Sequence, residues 1–540
     1  MARTPLFDAL QRAARIAHLA RRSALPIDET IERAREARLQ ASRRRFLRDA
    51  CGAAATLALV GPAGRLMAAP VPAPADGEEV VIVGAGIAGL TAAWRLRQAG
   101  VRVRMIEANR RIGGRMQSLR NFFPDDQVAE LGGELIDTGH VRIRALAAEL
   151  GLQLDDLRGG DPLAEADTWW AQGRRHSEAE LIHAFIPVAA AIAHDLKAIG
   201  EGDITYATPL GAKALDALTI TQWFDRHDVK GWLRSLLDVA YTTEMGLACD
   251  RQSALNLLTF IGTRPDRFRV FGESDERYHV RGGNDQIPRG LAARLEDAIE
   301  TDTALEALGR EDSGRYVLSL RRGAASRELR ARTVLLALPF TTLRDVRIEV
   351  PLPPDKQRAI RELKYGTNAK LMVGFERRVW REHKANGSTY ADLPFQTTWD
   401  TSRKQGGTHG VLTNFVGGQH GVDIGQDTPK AQADKVARQL DALFPGIAGA
   451  RKESGEVRMH WPTQPWTRGS YACFGPGDWT TIRGAIGETV EQLYFAGEHC
   501  AFDTQGFMEG GCESGEKAAA AILKARRIAS PVQDRKAAAA

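Results

Sequence analysis

The 540-residue sequence predicts an α/β protein, with a buried βαβ unit near the start of its body and further strand runs and helical stretches along the rest of the chain. Three observations carry that reading. Glu79-Val80-Val81-Ile82-Val83 is a continuous β-branched run, the mark of a strand buried on both faces, and it leads directly into a glycine-rich turn and a helical pattern. Two more buried-strand runs, Val334 to Pro339 and Leu493-Tyr494-Phe495, follow far downstream. The intervening residues, 137–275 and 340–487, carry patterns of their own, the first mostly helical, the second mixing strands such as Leu371 to Phe375 with loops rich in Gly and Trp. No internal repeat is evident.

In chain order, residues 1–75 differ from the rest. The whole chain has 73 basic and 68 acidic residues; the first 75 hold 13 Arg, no Lys and 6 acids, leaving 60 basic and 62 acidic residues beyond them. The basicity belongs to the leader, and the body gives no reason to expect nucleic acid. Ser42-Arg43-Arg44-Arg45-Phe46-Leu47-Arg48, then a weakly apolar run from Ala50 to Val60 and small residues allowing cleavage after Ala68 or Ala75, resembles a twin-arginine (Tat) signal. That resemblance implies the Tat machinery as a partner and a periplasmic or exported mature chain. Residues 6–40 read as two helical stretches without an assigned function, and the Ala-rich end from Ala537 as a tail. No apolar stretch reaches the roughly 20 residues needed to span a bilayer as a helix, so an integral membrane protein is not expected. Cys249, Cys473, Cys500 and Cys512 fit no metal spacing, and a chain this long needs no staples, so free, buried thiols are expected.

The first strand runs into Gly84-Ala85-Gly86-Ile87-Ala88-Gly89, a helix reads from Leu90 to Gln98, and a second strand, Val101 to Ile106, ends in Glu107. This is a βαβ dinucleotide fingerprint in its full context. Gly84 permits the turn, Gly86 lets backbone approach a pyrophosphate, and Gly89 lets helix pack on strand. The helix start at Ile87 and Ala88 offers N–H donors and a positive dipole end to phosphate. Glu107, followed by Ala108, stands where a carboxylate accepts from a ribose diol.

The continuation Arg111-Ile112-Gly113-Gly114-Arg115 resembles the flavoproteins of the amine oxidase family. Further segments match that family in order: Ala129-Glu130-Leu131-Gly132-Gly133-Glu134, Val280 to Pro288, Val334 to Pro339, and Leu493 to His499 with Gln505-Gly506-Phe507-Met508-Glu509-Gly510. The resemblance covers roughly 78–527. It implies a discontinuous Rossmann-like FAD-binding domain (78–136, 276–339, 488–527) and an α+β substrate domain of the amine oxidase type (137–275, 340–487), with 528–540 a tail. It also implies FAD as cofactor. Gly114 and Arg115 would lie along the pyrophosphate, Gly132, Gly133 and Glu134 beneath the flavin, Gly497 and Glu498 near the ribityl and phosphate groups, and Gly506, Phe507 and Met508 under the pyrimidine end.

On the substrate side, the family carries a Lys at the position of Lys370 that holds a water against the flavin N5, and Tyr471 and Phe507 would be two aromatic faces orienting an amine. These three are the candidate catalytic residues; no metal is expected. Members with covalent flavin carry Cys where this chain has Ser470, so the FAD should be non-covalent. Members acting on α-amino acids carry a Gly-Pro-Met-Arg type segment where this chain reads Leu131-Gly132-Gly133-Glu134-Leu135-Ile136-Asp137. The expected activity is oxidation of a small-molecule amine to an imine, with reoxidation by O2, giving peroxide, or by a redox carrier. An amino-acid oxidase or tryptophan monooxygenase on the same fold, and a non-catalytic flavin-binding envelope protein, stay open as alternatives.

Overall fold

The computed structural model describes residues 78–164, 166–260 and 274–528. The arginine-rich leader, with Arg43 and Arg44, and the C-terminal tail lie outside the described residues. Val80–Val83 is the centre of a five-stranded sheet, flanked in parallel by Val103–Ile106 on one side and Thr333–Leu336 on the other. Ile299–Glu300 extends the first side and Leu493–Phe495 the second, again in parallel. The sheet therefore joins four regions of chain. Each residue of Val80–Val83 is at most 4% exposed, so every position is apolar and no alternation appears in the sequence.

The helix Ile87–Gln98 begins three residues before Leu90, with Gly86 as its N-cap, so the turn glycines are part of the helix entrance. The second strand starts at Val103, not Val101, because the Val101 amide is spent closing the helix onto the Leu96 carbonyl, just after Gly100 in a left-handed conformation (φ 76°). The helix Met508–Ala525 crosses Ile87–Gln98 closely: Gly515 lies on Ala88, and a Cβ there would overlap the Ala88 carbonyl oxygen. A glycine is the only residue that permits this approach.

The second sheet has seven strands, in the order Arg451–His460, Ala369–Phe375, Gly410–Val416, Thr397–Asp400, Thr389–Ala391, Thr168–Ala171 and Arg174–His176. All its pairings are antiparallel except Thr389–Ala391 with Thr168–Ala171. The last two strands come from the stretch the sequence marks as mostly helical. They form a hairpin through Gln172 (φ 52°) and Gly173 (φ 78°), both left-handed, the geometry of a two-residue type I′ turn. The rest of that stretch is largely helical, including Glu178–Ile199 and Gly231–Met245.

Glu178–Ile199 is, among the described residues, one helix long and apolar enough to cross a membrane by length and composition, which corrects the reading that no stretch approaches that length. Its packing gives it a different role. Leu181, Ile182, Phe185 and Ile192 are fully buried in the core, Asp195 accepts from the Trp223 indole, and a Ser177–Glu180 capping box opens it. All four cysteines of the described chain are buried and free.

Candidate functional site

A cleft of about 1230 Å³, part of it open to solvent, runs along the carboxyl ends of the parallel strands, where open α/β sheets bind ligands. Gly84, Gly86, Ile87, Ala88, Glu107, Ala108, Gly114, Arg115, Gly497, Glu498, Gly506, Phe507 and Met508 all line it. Gly84 turns the chain at φ 107°, and a Cβ on it would overlap the Ala337 carbonyl oxygen. Two helices start at the cleft, Ile87–Gln98 and Met508–Ala525, and neither has a side-chain cap on its N-terminus. Both therefore present N–H groups and a positive dipole end to whatever occupies it.

Glu107 is held by two amides: Oε2 accepts from Ala85 N at 2.7 Å and Oε1 from Asn109 N at 2.7 Å. Each oxygen keeps a lone pair, which suits a vicinal diol. Burial raises the Glu107 pKa, opposed by those two bonds and by the Arg111 charge. Arg115 donates from Nη1 to the Ser470 carbonyl at 2.6 Å and to Glu498 Oε1 at 3.0 Å. Glu498 also accepts from Ala472 N at 3.1 Å and Gly506 N at 2.9 Å, so its carboxylate ties three chain segments together at the cleft wall.

His499, also on the cleft wall, is 2% exposed, and neither ring nitrogen has a hydrogen-bond partner among the described residues. Burial pushes its pKa down to about 4, so the ring is neutral at pH 7. Two uncapped helix starts, a diol-ready carboxylate and an unpartnered imidazole along one cleft fit a dinucleotide cofactor.

A second cavity of about 480 Å³ adjoins the first, with Gly506 and Phe507 as common wall. Tyr471, Phe474, Trp479, Met245 and Phe260 make it largely apolar and aromatic, with Glu244 and Gln505 among its polar lining. The Tyr471 hydroxyl donates to the backbone carbonyls of Thr243 (3.2 Å) and Glu244, which fixes the ring. The Phe507 ring meets His140 edge to face, with centroids 4.9 Å apart. Tyr471 and Phe507 are thus brought to one small cavity, while Phe507 alone also faces the larger cleft.

Lys370, Gly132, Gly133 and Glu134 line neither space. Lys370, on the strand Ala369–Phe375, donates to Glu130 O at 3.0 Å, Gly132 O at 2.8 Å and Glu134 Oε2 at 2.7 Å. An ammonium has three protons, and each has a protein acceptor here. Glu134, read as a cofactor neighbour, turns its carboxylate to Lys370 and to the Trp399 indole N–H (2.8 Å). Gly132 and Gly133 lie behind the cleft: the Gly133 amide donates to Arg115 O, and its Cα faces the Met508 side chain. Gly89 packs under the turn, on the Gly84 carbonyl. Cleft residues missed from the sequence include Asn109, Arg111, Thr303, Ala337 and Trp466. Of these, Ala337 lies in the buried run with a Pro stop and Arg111 in the segment that carries the resemblance through Gly113, Gly114 and Arg115, so those two regions gave a signal.

The Ser470 hydroxyl donates to Asn368 Oδ1 at 2.6 Å and is fully buried. Of the nearby thiols, burial pushes Cys500 up to about 12 and Cys473 and Cys512 well above the usual range, so all are protonated.

The family model for flavin containing amine oxidoreductases matches residues 87–523. An L-amino acid dehydrogenase of Synechocystis sp. is 27% identical over 474 residues, covering 84% of this chain and 96% of its own. The flavin-containing amine oxidase A of Sus scrofa is 24% identical over 473 residues, 83% of this chain and 85% of its own. The solved structure of cyclohexylamine oxidase from Brevibacterium oxydans IH-35A superposes with a TM-score of 0.73 at 24% identity, over 83% of this chain and 99% of that one.

Proposed function

The chain belongs to the flavin-containing amine oxidoreductase family, a flavin-dependent enzyme oxidising amines, and from that premise we propose that it holds FAD non-covalently in the larger cleft and takes an apolar or aromatic amine in the adjoining cavity. One observation carries the reading: Phe507 is a wall of both spaces, so a molecule in the small cavity is separated from a cofactor in the cleft by little more than one ring. Bound FAD supplies the two-electron acceptor that takes hydride from the carbon bearing the amine.

The residues of the chain do the rest. Glu107 would accept from the ribose hydroxyls with its free lone pairs, and the two helix N-termini would offer N–H donors and positive dipole ends to the cofactor's phosphates and ring. Tyr471, pinned through its hydroxyl, and Phe507, backed by His140, present π faces that orient an amine and exclude water. Non-covalent binding is supported by Ser470, whose hydroxyl is committed to Asn368, and by the protonated state of the buried thiols, since only a thiolate attacks. The absence of Arg from positions 131–137 favours an amine over an α-amino acid, without removing the second class, since an Arg from another loop could serve. The likeness to an L-amino acid dehydrogenase keeps the second substrate class in the test. The arginine pair at Arg43 and Arg44 supports export by the Tat route to the periplasm.

Anaerobic mixing of the yellow holoprotein with monoamines, diamines and L-amino acids tests this reading. Bleaching by an amine is the expected result; bleaching by amino acids alone moves the substrate class, and no bleaching by any of them refutes the catalytic reading.

A further inference from the structure

Glu244 is an acid in the wall of the small cavity, 5% exposed, among the aromatic residues Phe260, Tyr471, Phe474, Trp479 and Phe507. It lies in the last turn of the helix Gly231–Met245, and its backbone carbonyl accepts from the Tyr471 hydroxyl, so it stands at the far end of that ring. Within reach of its charge is Glu276, 3% exposed, with neither carboxyl oxygen hydrogen-bonded among the described residues. Asp137 ties Glu276 to the same wall. Its Oδ1 accepts from the Glu276 amide at 2.8 Å, and its Oδ2 lies 3.3 Å from Nε2 of His140, whose ring packs on Phe507. Burial, together with the charges of Asp137 and Glu244, holds the Glu276 carboxyl well above the usual range, against the opposing charges of Arg158 and Arg403. A buried carboxyl without a hydrogen bond is costly, and a cation is the partner that relieves it.

We propose that Glu276 and Glu244 form a subsite for a second cationic group on the substrate, so that the preferred substrate is an amine whose apolar chain ends in an ammonium or guanidinium. The inference rests on the reading that the small cavity takes the amine. The faces of Tyr471 and Phe507 hold the end to be oxidised, and the apolar walls carry the chain. At the far end an ammonium or guanidinium donates charge-assisted hydrogen bonds to carboxylates, and the surrounding rings attract the same charge. A neutral tail gives neither acid a partner, and an anionic tail is repelled by both. A diamine and an α-amino acid with a basic side chain both carry the required group.

Calorimetric titration of the FAD-loaded full chain with alkylguanidines tests the subsite without oxidation, because a guanidinium keeps its proton and gives no hydride. A five-carbon chain with a guanidinium at each end should bind at least about tenfold more tightly than the same chain with one, the worth of a charge-assisted hydrogen bond. Glu276→Gln keeps the shape of the side chain and removes its charge, and should bring the two affinities to within about threefold of each other. Anaerobic flavin reduction then separates the sources, with pentane diamine set against pentylamine and L-lysine against L-norleucine. The diamine is expected to reduce the flavin fastest; L-lysine in its place would assign the same subsite to a basic amino acid. Equal affinity of the two guanidines for wild type overturns the proposal, as does a preference left intact by Glu276→Gln. If Glu276→Gln yields no holoprotein, Glu244→Gln takes its place in the same comparison. A clear guanidine preference in a holoprotein that no amine bleaches would keep the subsite and refute the oxidation reading alone.

Discussion

Removing the Lys370 amine is expected to damage stability before it damages chemistry. Lys370→Met keeps the length of the side chain but leaves the Glu134 carboxylate with the Trp399 N–H and Thr401 hydroxyl as its partners and takes the donor away from the Glu130 and Gly132 carbonyls. Breaking one partner out of a buried pair costs about 3–5 kcal/mol. The deficit of the variant should therefore be about 3–5 kcal/mol. Urea unfolding of wild type and variant apoprotein at neutral pH measures it, with Lys370→Met/Glu134→Gln expected to recover at least half of the loss. A variant as stable as wild type, or a double variant no more stable than the single, would refute the view that an isolated buried charge is the cause.

Acid precipitation of the holoprotein should leave the yellow colour in solution; colour in the pellet would show a covalent link. Glu107→Ala should weaken FAD binding by about 10- to 100-fold, the worth of a charged hydrogen-bond acceptor, and an unchanged dissociation constant in a titration of apoprotein would mean the ribose is held elsewhere. His499, with its folded pKa near 4 below an unfolded value of 6.5, contributes stability that is whole above about pH 6.5 and is lost as the pH falls toward 4. Apoprotein carrying His499→Phe should lack that one-proton dependence, roughly 3 kcal/mol across the window, and parallel stability curves for the two proteins over pH 4–7 would contradict it. Changing Arg43, Arg44 and Arg45 together to Lys should stop export, so mature enzyme still found in the periplasm would remove the Tat assignment.

What could be read in the sequence was what is local. Val80–Val83, the turn from Gly84 to Gly89 and Glu107 sit within one βαβ unit, and their chemistry is set by neighbours a few residues away. The cleft residues at 497–508 were found through motif resemblance, not through pattern. The hairpin at 168–176 went unseen because its strands are three and four residues long and its pairing partner, Thr389–Ala391, is far along the chain. Lys370 shows the limit more sharply. Its hydrogen-bond partners lie more than 230 residues earlier, and only the fold reveals which groups accept its three protons. Glu134 stood in plain view in the same motif, but nothing in the sequence says which way its carboxylate turns.

The parallel sheet carries a consequence for the order of events during synthesis. Its outermost strand, Leu493–Phe495, and the helix that brings Gly515 onto Ala88 come from the last part of the described chain, while the glycine turn they complete comes from its start. A ribosome that has made residues up to about 490 has produced the whole phosphate turn and the ribose carboxylate, but the strand Thr333–Leu336 still has an unpaired edge and the cleft lacks the wall formed by Glu498, Phe507 and Met508. Cofactor capture is thus an event of the finished chain. Loss of the C-terminal strand and helix should therefore abolish flavin retention even though every residue of the N-terminal fingerprint is intact.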